Sequence, residues 1–165
     1  ESVMTGITEI KDAFDVLFES LILRNYHDWT EQELLPLTYT YLVGAFGLAK
    51  VDAEVSVLRP TAKTGVGRVD FVVDGVAVEL AVRANYQNAA NLNANTNRTE
   101  VEKLMKYSGK ALLVLFDFST HPMSHEALEA FRVLPTLGRG NHNRFPFNIG
   151  YFHCDGTRDY KRIRV

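Results

Sequence analysis

RVDFVVDGVAVELAVR, residues 68–83, consists of two β-branched runs joined by Asp74-Gly75. A two-residue Asp-Gly loop between such runs is a strong hairpin signal, because a type I′ turn needs positive φ at both central positions and these residues tolerate it. Counting outward from the loop pairs Val73 with Val76, Val72 with Ala77, Phe71 with Val78 and Asp70 with Glu79. Further out it pairs Val69 with Leu80, Arg68 with Ala81 and Val66 with Arg83. Side chains alternate between the faces of a strand. One face then holds Val69, Phe71, Val73, Val76, Val78, Leu80 and Val82 and reads as core. The other holds Arg68, Asp70, Val72, Ala77, Glu79, Ala81 and Arg83.

The second face carries the chemistry. Directly opposed carboxylates repel, at a cost of roughly 0.2–1 kcal/mol for a cross-strand pair. A divalent cation offsets that cost, since hard cations favour carboxylate oxygens and two protein carboxylates suffice beside water and phosphate. Arg68 and Arg83, on the same face, offer a second way to neutralise the pair.

Working outward, Ile7, Ile10, Phe14, Leu17, Phe18, Leu21 and Ile22 recur at helical spacing and predict an amphipathic helix. Its stripe suits either a core or a homodimer contact. Thr30-Glu31-Gln32-Glu33 is a capping box, with Trp29 and Leu34 placed as a hydrophobic staple. Pro36 predicts a kink or a fresh start in the helix that follows. Val51 to Leu58 alternates as a strand, and Pro60 to Gly67 reads as a turn-rich break. Residues 84–98 are asparagine-rich and aperiodic, hence a loop. Thr99 and Glu102 predict a capped helix stopped by Gly109. Ala111 to Phe116 is an apolar run, as in a strand buried on both faces. Ser124 caps a short helix carrying Leu128 and Phe131, and strands near Phe147 to Cys154 and Tyr160 to Val165 finish the chain. The order α-α-β-β-β-α-β-α-β-β implies a mixed β-sheet flanked by helices in an α/β fold, with no linker to divide residues 1–165.

The 165 residues, 46% hydrophobic and 23% charged, suit one globular domain. No apolar run is long enough for a membrane span. The lone Cys154 and the lack of a basic-then-apolar leader lead us to expect an intracellular, cytoplasmic protein. The formal net charge of −2 argues against a general polyanion binder. Its distribution is uneven, however: Arg132 to Val165 holds seven basic residues against Asp155 and Asp159, or +5, which leaves −7 for the rest. Arg139 and Arg144, in a Gly-rich loop, and Arg162, on the last strand, are candidate phosphate contacts. A charge-guarded edge strand accounts for the same asymmetry.

Asp70 in Arg68-Val69-Asp70-Phe71 and Glu79 in Val78-Glu79-Leu80-Ala81 resemble the motif of the PD-(D/E)XK nucleases, whose fold is called restriction-endonuclease-like. The likeness covers about residues 30–118 and rests on element order as much as on the motif. It implies that Asp70 and Glu79 bind Mg²⁺ or Mn²⁺ and that the protein hydrolyses or binds DNA. The family's lysine, two residues after the Glu, positions the attacking water, and here that place is Ala81. Lys103 or Lys106 would then reach in from the following helix, and Arg83 would clamp phosphate. Some members recruit a helical acid upstream; Glu33 is the nearest equivalent, although its capping role already explains it. A degenerate relative that serves as a nucleic-acid-binding or assembly module is the other reading.

Other motifs fail on inspection. Ser108-Gly109-Lys110 lacks the first glycine of a phosphate-binding loop. Gly65-Val66-Gly67 precedes a strand rather than a helix. His121 and His125 have Pro122 between them, and no third zinc ligand is evident.

Overall fold

A computed structural model describes residues 6–56, 68–135 and 143–165. Val57, Leu58, the expected turn Pro60 to Gly67, the Val66–Arg83 pair and Arg139 lie outside the described residues.

The chain runs α1 (Ile7–Leu23), α2 (Glu31–Phe46), β1 (Val51–Ser56), β2 (Arg68–Val73), β3 (Val76–Arg83), α3 (Arg98–Lys106), β4 (Ala111–Asp117), α4 (His125–Glu129), β5 (Phe147–His153) and β6 (Arg158–Ile163). The six strands form one mixed sheet in the order β1-β2-β3-β4-β5-β6. The β3–β4 and β4–β5 pairs are parallel and the outer pairs antiparallel. Every residue of β3 and β4 is buried, as continuous apolar strands covered by helices on both sides must be. Phe14, Phe18, Leu34 and Leu42 of α1 and α2 pack with Val78, Leu80, Val114 and Phe116 on one face. Val101, Leu104 and Met105 of α3 pack with Ala77, Ala81, Leu113 and Leu115 on the other.

Local chemistry accounts for the boundaries. Thr30 Oγ1 accepts Glu33 N–H at 3.4 Å while Glu33 Oε1 accepts Thr30 N–H at 3.2 Å, which closes the capping box. The helix runs through Pro36 rather than restarting there. Thr99 does not begin α3. The helix starts one residue earlier, and Asn97, in the N-cap position, turns its side chain back to accept Asn93 N–H at 3.2 Å. The asparagine-rich segment is likewise pinned by its own side chains. Asn88 Oδ1 accepts Ala90 N–H at 2.9 Å and Asn91 Oδ1 accepts Asn88 N–H at 3.1 Å, framing a single turn at Ala89–Asn91.

The hairpin turns through Asp74 at φ 48° and Gly75 at φ 82°, as a type I′ turn requires. Pairing between β2 and β3 covers three residue pairs and ends at Phe71↔Val78. The longer register expected from the sequence is not formed. Asp70 Oδ2 accepts Leu80 N–H at 2.8 Å, the donor that a continuing ladder would have aimed at the backbone of Val69. Val69 packs with the α3 layer instead of joining Phe71 and Val73, so β2 reverses its faces at Asp70. In β1, Glu54 has φ 52° and sits between the pairs Ala53↔Phe71 and Val55↔Val69, at the same level.

Gly75→Ala puts a β-carbon on a residue with positive φ. It should destabilise the fold by about 1 kcal/mol, read in urea unfolding as a lower midpoint with an unchanged slope.

Candidate functional site

Where β2 leaves β3, the edge of β3 opens, and side chains from four elements gather there. β2 supplies Asp70 and β3 supplies Glu79, which is 2% exposed. The two carboxyls lie within hydrogen-bonding reach of each other. From α3 comes Lys103, its Nζ 3.5 Å from Glu79 Oε1. Glu100, one helical turn before Lys103, and Glu31, in the first turn of α2, complete the group through their electrostatic coupling to Asp70 and Lys103. Glu79 Oε1 and Glu100 Oε2 are buried and accept no hydrogen bond among the described residues.

Four carboxyls around one ammonium, largely removed from water, cannot all ionise cheaply. Burial is the main cause in each case. It raises Glu79 to about 9, with the Asp70 charge adding to it, and raises Glu31 to about 7, with Asp70 and Glu100 adding to it. Asp70 and Glu100 are also pushed up by burial, opposed at Asp70 by the Leu80 N–H and at both by Lys103. At neutral pH Glu79 therefore keeps its proton unless a cation displaces it.

The expected site residues divide. Asp70, Glu79 and Lys103 converge. Lys106 lies further along α3, half-buried and without an ion pair among the described residues. Arg83 does not join them. Its Nε and Nη2 donate to Asp117 Oδ1 and Oδ2 at 2.8 and 2.6 Å, about 13 Å along β3 from Glu79. Tyr151 Oη and the Ser119 N–H also donate to Asp117, whose carboxyl stays below its usual range despite burial, held there by Arg83, Tyr151 and Ser119. The phosphate-clamp role expected for Arg83 is thus corrected to a buried structural pair, and Arg68 is exposed without an ion pair among the described residues. Neither arginine neutralises the acids.

Ala81 is 1% exposed and packed beneath α3, so the ammonium reaches Glu79 from the helix and not from the strand. Glu33 stays in its capping box; the acid that α2 contributes is Glu31, two residues earlier. Arg144 is exposed, and Phe145 N–H donates to Met105 O at 2.9 Å, which ties this segment to the end of α3 carrying Lys106. Arg162 lies on β6, three strands from β3, and pairs with Asn148, which pairs with Leu112 on the α1–α2 face. That is the face opposite Lys103.

Sequence reasoning missed Glu31 and Glu100. The i,i+3 spacing of Glu100 and Lys103 was the available signal, since it places both on one helix stripe. Glu31 carried none, because only the opening between β2 and β3 gives the start of α2 access to the acids.

Among the described residues, no three His, Cys, Asp or Glu side chains form a group able to hold a metal ion by themselves, and no helix is long and apolar enough to cross a membrane. The class established is a mixed α/β protein with a six-stranded mixed sheet and four α-helices. No known family model, curated protein or solved structure matches the chain.

Two outcomes check this geometry. Folded Glu79 holds its proton up to about pH 9, whereas an ordinary glutamate releases it near 4.5. The folded state therefore binds more protons across that window, and stability falls as pH rises through it. Thermal melts in EDTA should show a melting temperature that declines towards pH 9, with Glu79→Gln flattening the decline. Separately, Arg83→Ala strands a buried Asp117 and should cost about 3–5 kcal/mol in chemical denaturation.

Proposed function

We propose that this protein is a metal-dependent phosphodiesterase acting on DNA, with the restriction-endonuclease-like fold. One observation carries the reading: half-buried Asp70 faces buried Glu79, whose Oε1 accepts no hydrogen bond among the described residues, with Lys103 Nζ 3.5 Å from it. A structural role would favour a satisfied pair such as Arg83–Asp117, and a buried polar group left without a partner calls for an explanation. The antiparallel β2–β3 hairpin, helix α3 and parallel β4 follow in the succession on which the resemblance rests.

Asp70 and Glu79 fit Mg²⁺ or Mn²⁺ as two carboxylate ligands, leaving the remaining positions to water and the phosphate; Glu31 and Glu100 stand in the surrounding shell. When bound, such an ion would supply positive charge at the phosphoryl oxygens and acidify water. Asp70, with one oxygen fixed by the Leu80 N–H, presents the other in a set direction. Glu79 must give up its proton to serve as a ligand. Lys103 takes the part that Ala81 cannot play: its ammonium orients the attacking water and offsets charge growing on the phosphate. Lys106 and Arg144, at the end of α3, provide backbone contacts for the DNA. The observation favouring a binding module without hydrolysis is the short ligand set, and cleavage assays decide between the two.

Calorimetric titration with Mn²⁺ at pH 8 should give binding that disappears in Asp70→Asn. Because Glu79 releases a proton on binding, affinity should rise by up to about tenfold per pH unit between pH 7 and 9. Lys103→Met should retain the metal while lowering the cleavage rate of single-stranded or plasmid DNA by about 10²-fold. Absence of metal binding in the parent chain refutes the proposal. Metal and DNA binding without cleavage leaves the binding module.

A further inference from the structure

A cleft of about 350 Å³ opens beside the acids, lined by Thr30, Glu31, Gln32, Val82, Gln87 and Asn91. Glu31 lines this cleft and is electrostatically coupled to Asp70, which sets the cleft beside the acids. The volume lies at the small end of ligand pockets and suits a single nucleobase. The cleft is held open from outside: Asn85 N–H donates to His27 O at 2.8 Å, tying the segment after β3 to the turn between α1 and α2.

Beside the Glu31 carboxyl, two amides of the lining have a set orientation. Gln87 Oε1 accepts Ala84 N–H at 2.8 Å, and Asn91 Oδ1 accepts Asn88 N–H at 3.1 Å. Each bond fixes which way its amide lies, because an NH₂ group cannot face a backbone N–H. Both NH₂ groups are thereby turned away from the backbone, with two donors apiece and no acceptor among the described residues. The cleft thus combines the oriented NH₂ groups of Gln87 and Asn91 and one apolar wall, Val82, with the Glu31 carboxyl, which disfavours a second phosphate.

We infer that this cleft takes up the nucleobase next to the scissile phosphodiester and selects bases with a carbonyl oxygen on their major-groove edge. Thymine O4 and guanine O6 are such acceptors, whereas adenine N6 and cytosine N4 place amino groups on that edge, which meet the amides donor to donor. A base reaches the cleft only when it has left the stack, so the substrate is single-stranded or distorted DNA. The inference rests on the phosphodiesterase reading for its substrate, but its binding test is independent of cleavage.

The probes are uncharged nucleosides, followed by NMR titration of the intact chain: thymidine, deoxyguanosine, deoxyadenosine and deoxycytidine, with inorganic phosphate as competitor. Thymidine and deoxyguanosine should bind at least about fivefold more tightly than the other two. Gln87→Glu and Asn91→Asp keep the oxygen that accepts the backbone N–H and exchange the NH₂ donor for a charged acceptor oxygen, and an unchanged melting temperature shows that the fold is intact. Each should weaken thymidine binding by about five- to tenfold, with Mn²⁺ affinity not reduced. Equal binding of all four nucleosides, no binding, insensitivity to both variants, or displacement by phosphate overturns the inference. Failure here with Mn²⁺-dependent cleavage intact sinks the cleft assignment alone. Carbonyl-selective binding without cleavage sustains the cleft while the hydrolytic reading falls.

Discussion

The bond from Leu80 N–H to the Asp70 carboxylate is the constraint on which the site depends. A side chain there does what the opposite strand would otherwise do, and the ladder between β2 and β3 stops. Three consequences follow. The outer half of β3 loses its strand neighbour on that side, which makes room for the first turn of α2. The Asp70 carboxylate is held against the sheet with one oxygen committed to the Leu80 N–H and the group facing Glu79. Glu79 is left facing it in a region too dry to ionise both. Had pairing continued to Arg68, the hairpin would be an ordinary sheet edge and Glu31 would have no path to the acids.

β3 carries two charged clusters, and their difference is informative. At its end, Asp117 receives Arg83 through two bonds and further donors from Tyr151 and Ser119, and every lone pair has work. Such a buried pair specifies packing; breaking it is costly, yet nothing there invites a ligand. Four residues earlier, Glu79 has a lysine at ion-pair distance and an oxygen without a hydrogen bond. The fold satisfies one group of charges and leaves the other short on the same strand. Departures from local satisfaction concentrate where a protein has a use for them, and Glu31 of the second cluster lines a cleft.

Much of this fold was legible in the sequence because its signals are local. Asp74-Gly75 dictates its own turn, Thr30 and Glu33 cap a helix by chemistry confined to four residues, and the apolar run of β4 announces burial on both faces. The register extrapolated past Phe71 failed for a reason no count could reveal, since a side chain competed with the backbone for one N–H. The asparagine-rich segment lacked periodicity, and its order comes from side-chain bonds that leave no periodic trace. Asp70, Glu79 and Lys103 were readable from alternation and helix order. The partner of Arg83 was not, because Asp117 lies 34 residues away and only the parallel pairing of β3 with β4 brings the two level.

The charge asymmetry also resolves differently from its appearance in the sequence. Arg158 engages Asp15 and Glu19 of α1 and covers Phe18 and Phe152, while Lys161 engages Glu129 and Asp159. Two of the basic residues of the C-terminal part, Arg158 and Lys161, hold edge strand β6 to helices on both faces, which also blunts an edge open to pairing with other chains. What is left near the acids is local, Lys106 and Arg144 at the end of α3, beyond the turn that carries Lys103. A negatively charged chain with so small a basic rim gains little affinity from counterion release along a duplex. A nucleic-acid ligand of the proposed site would therefore draw on short-range contacts: carboxylates shared with a cation, one ammonium, and oriented neutral donors beside them.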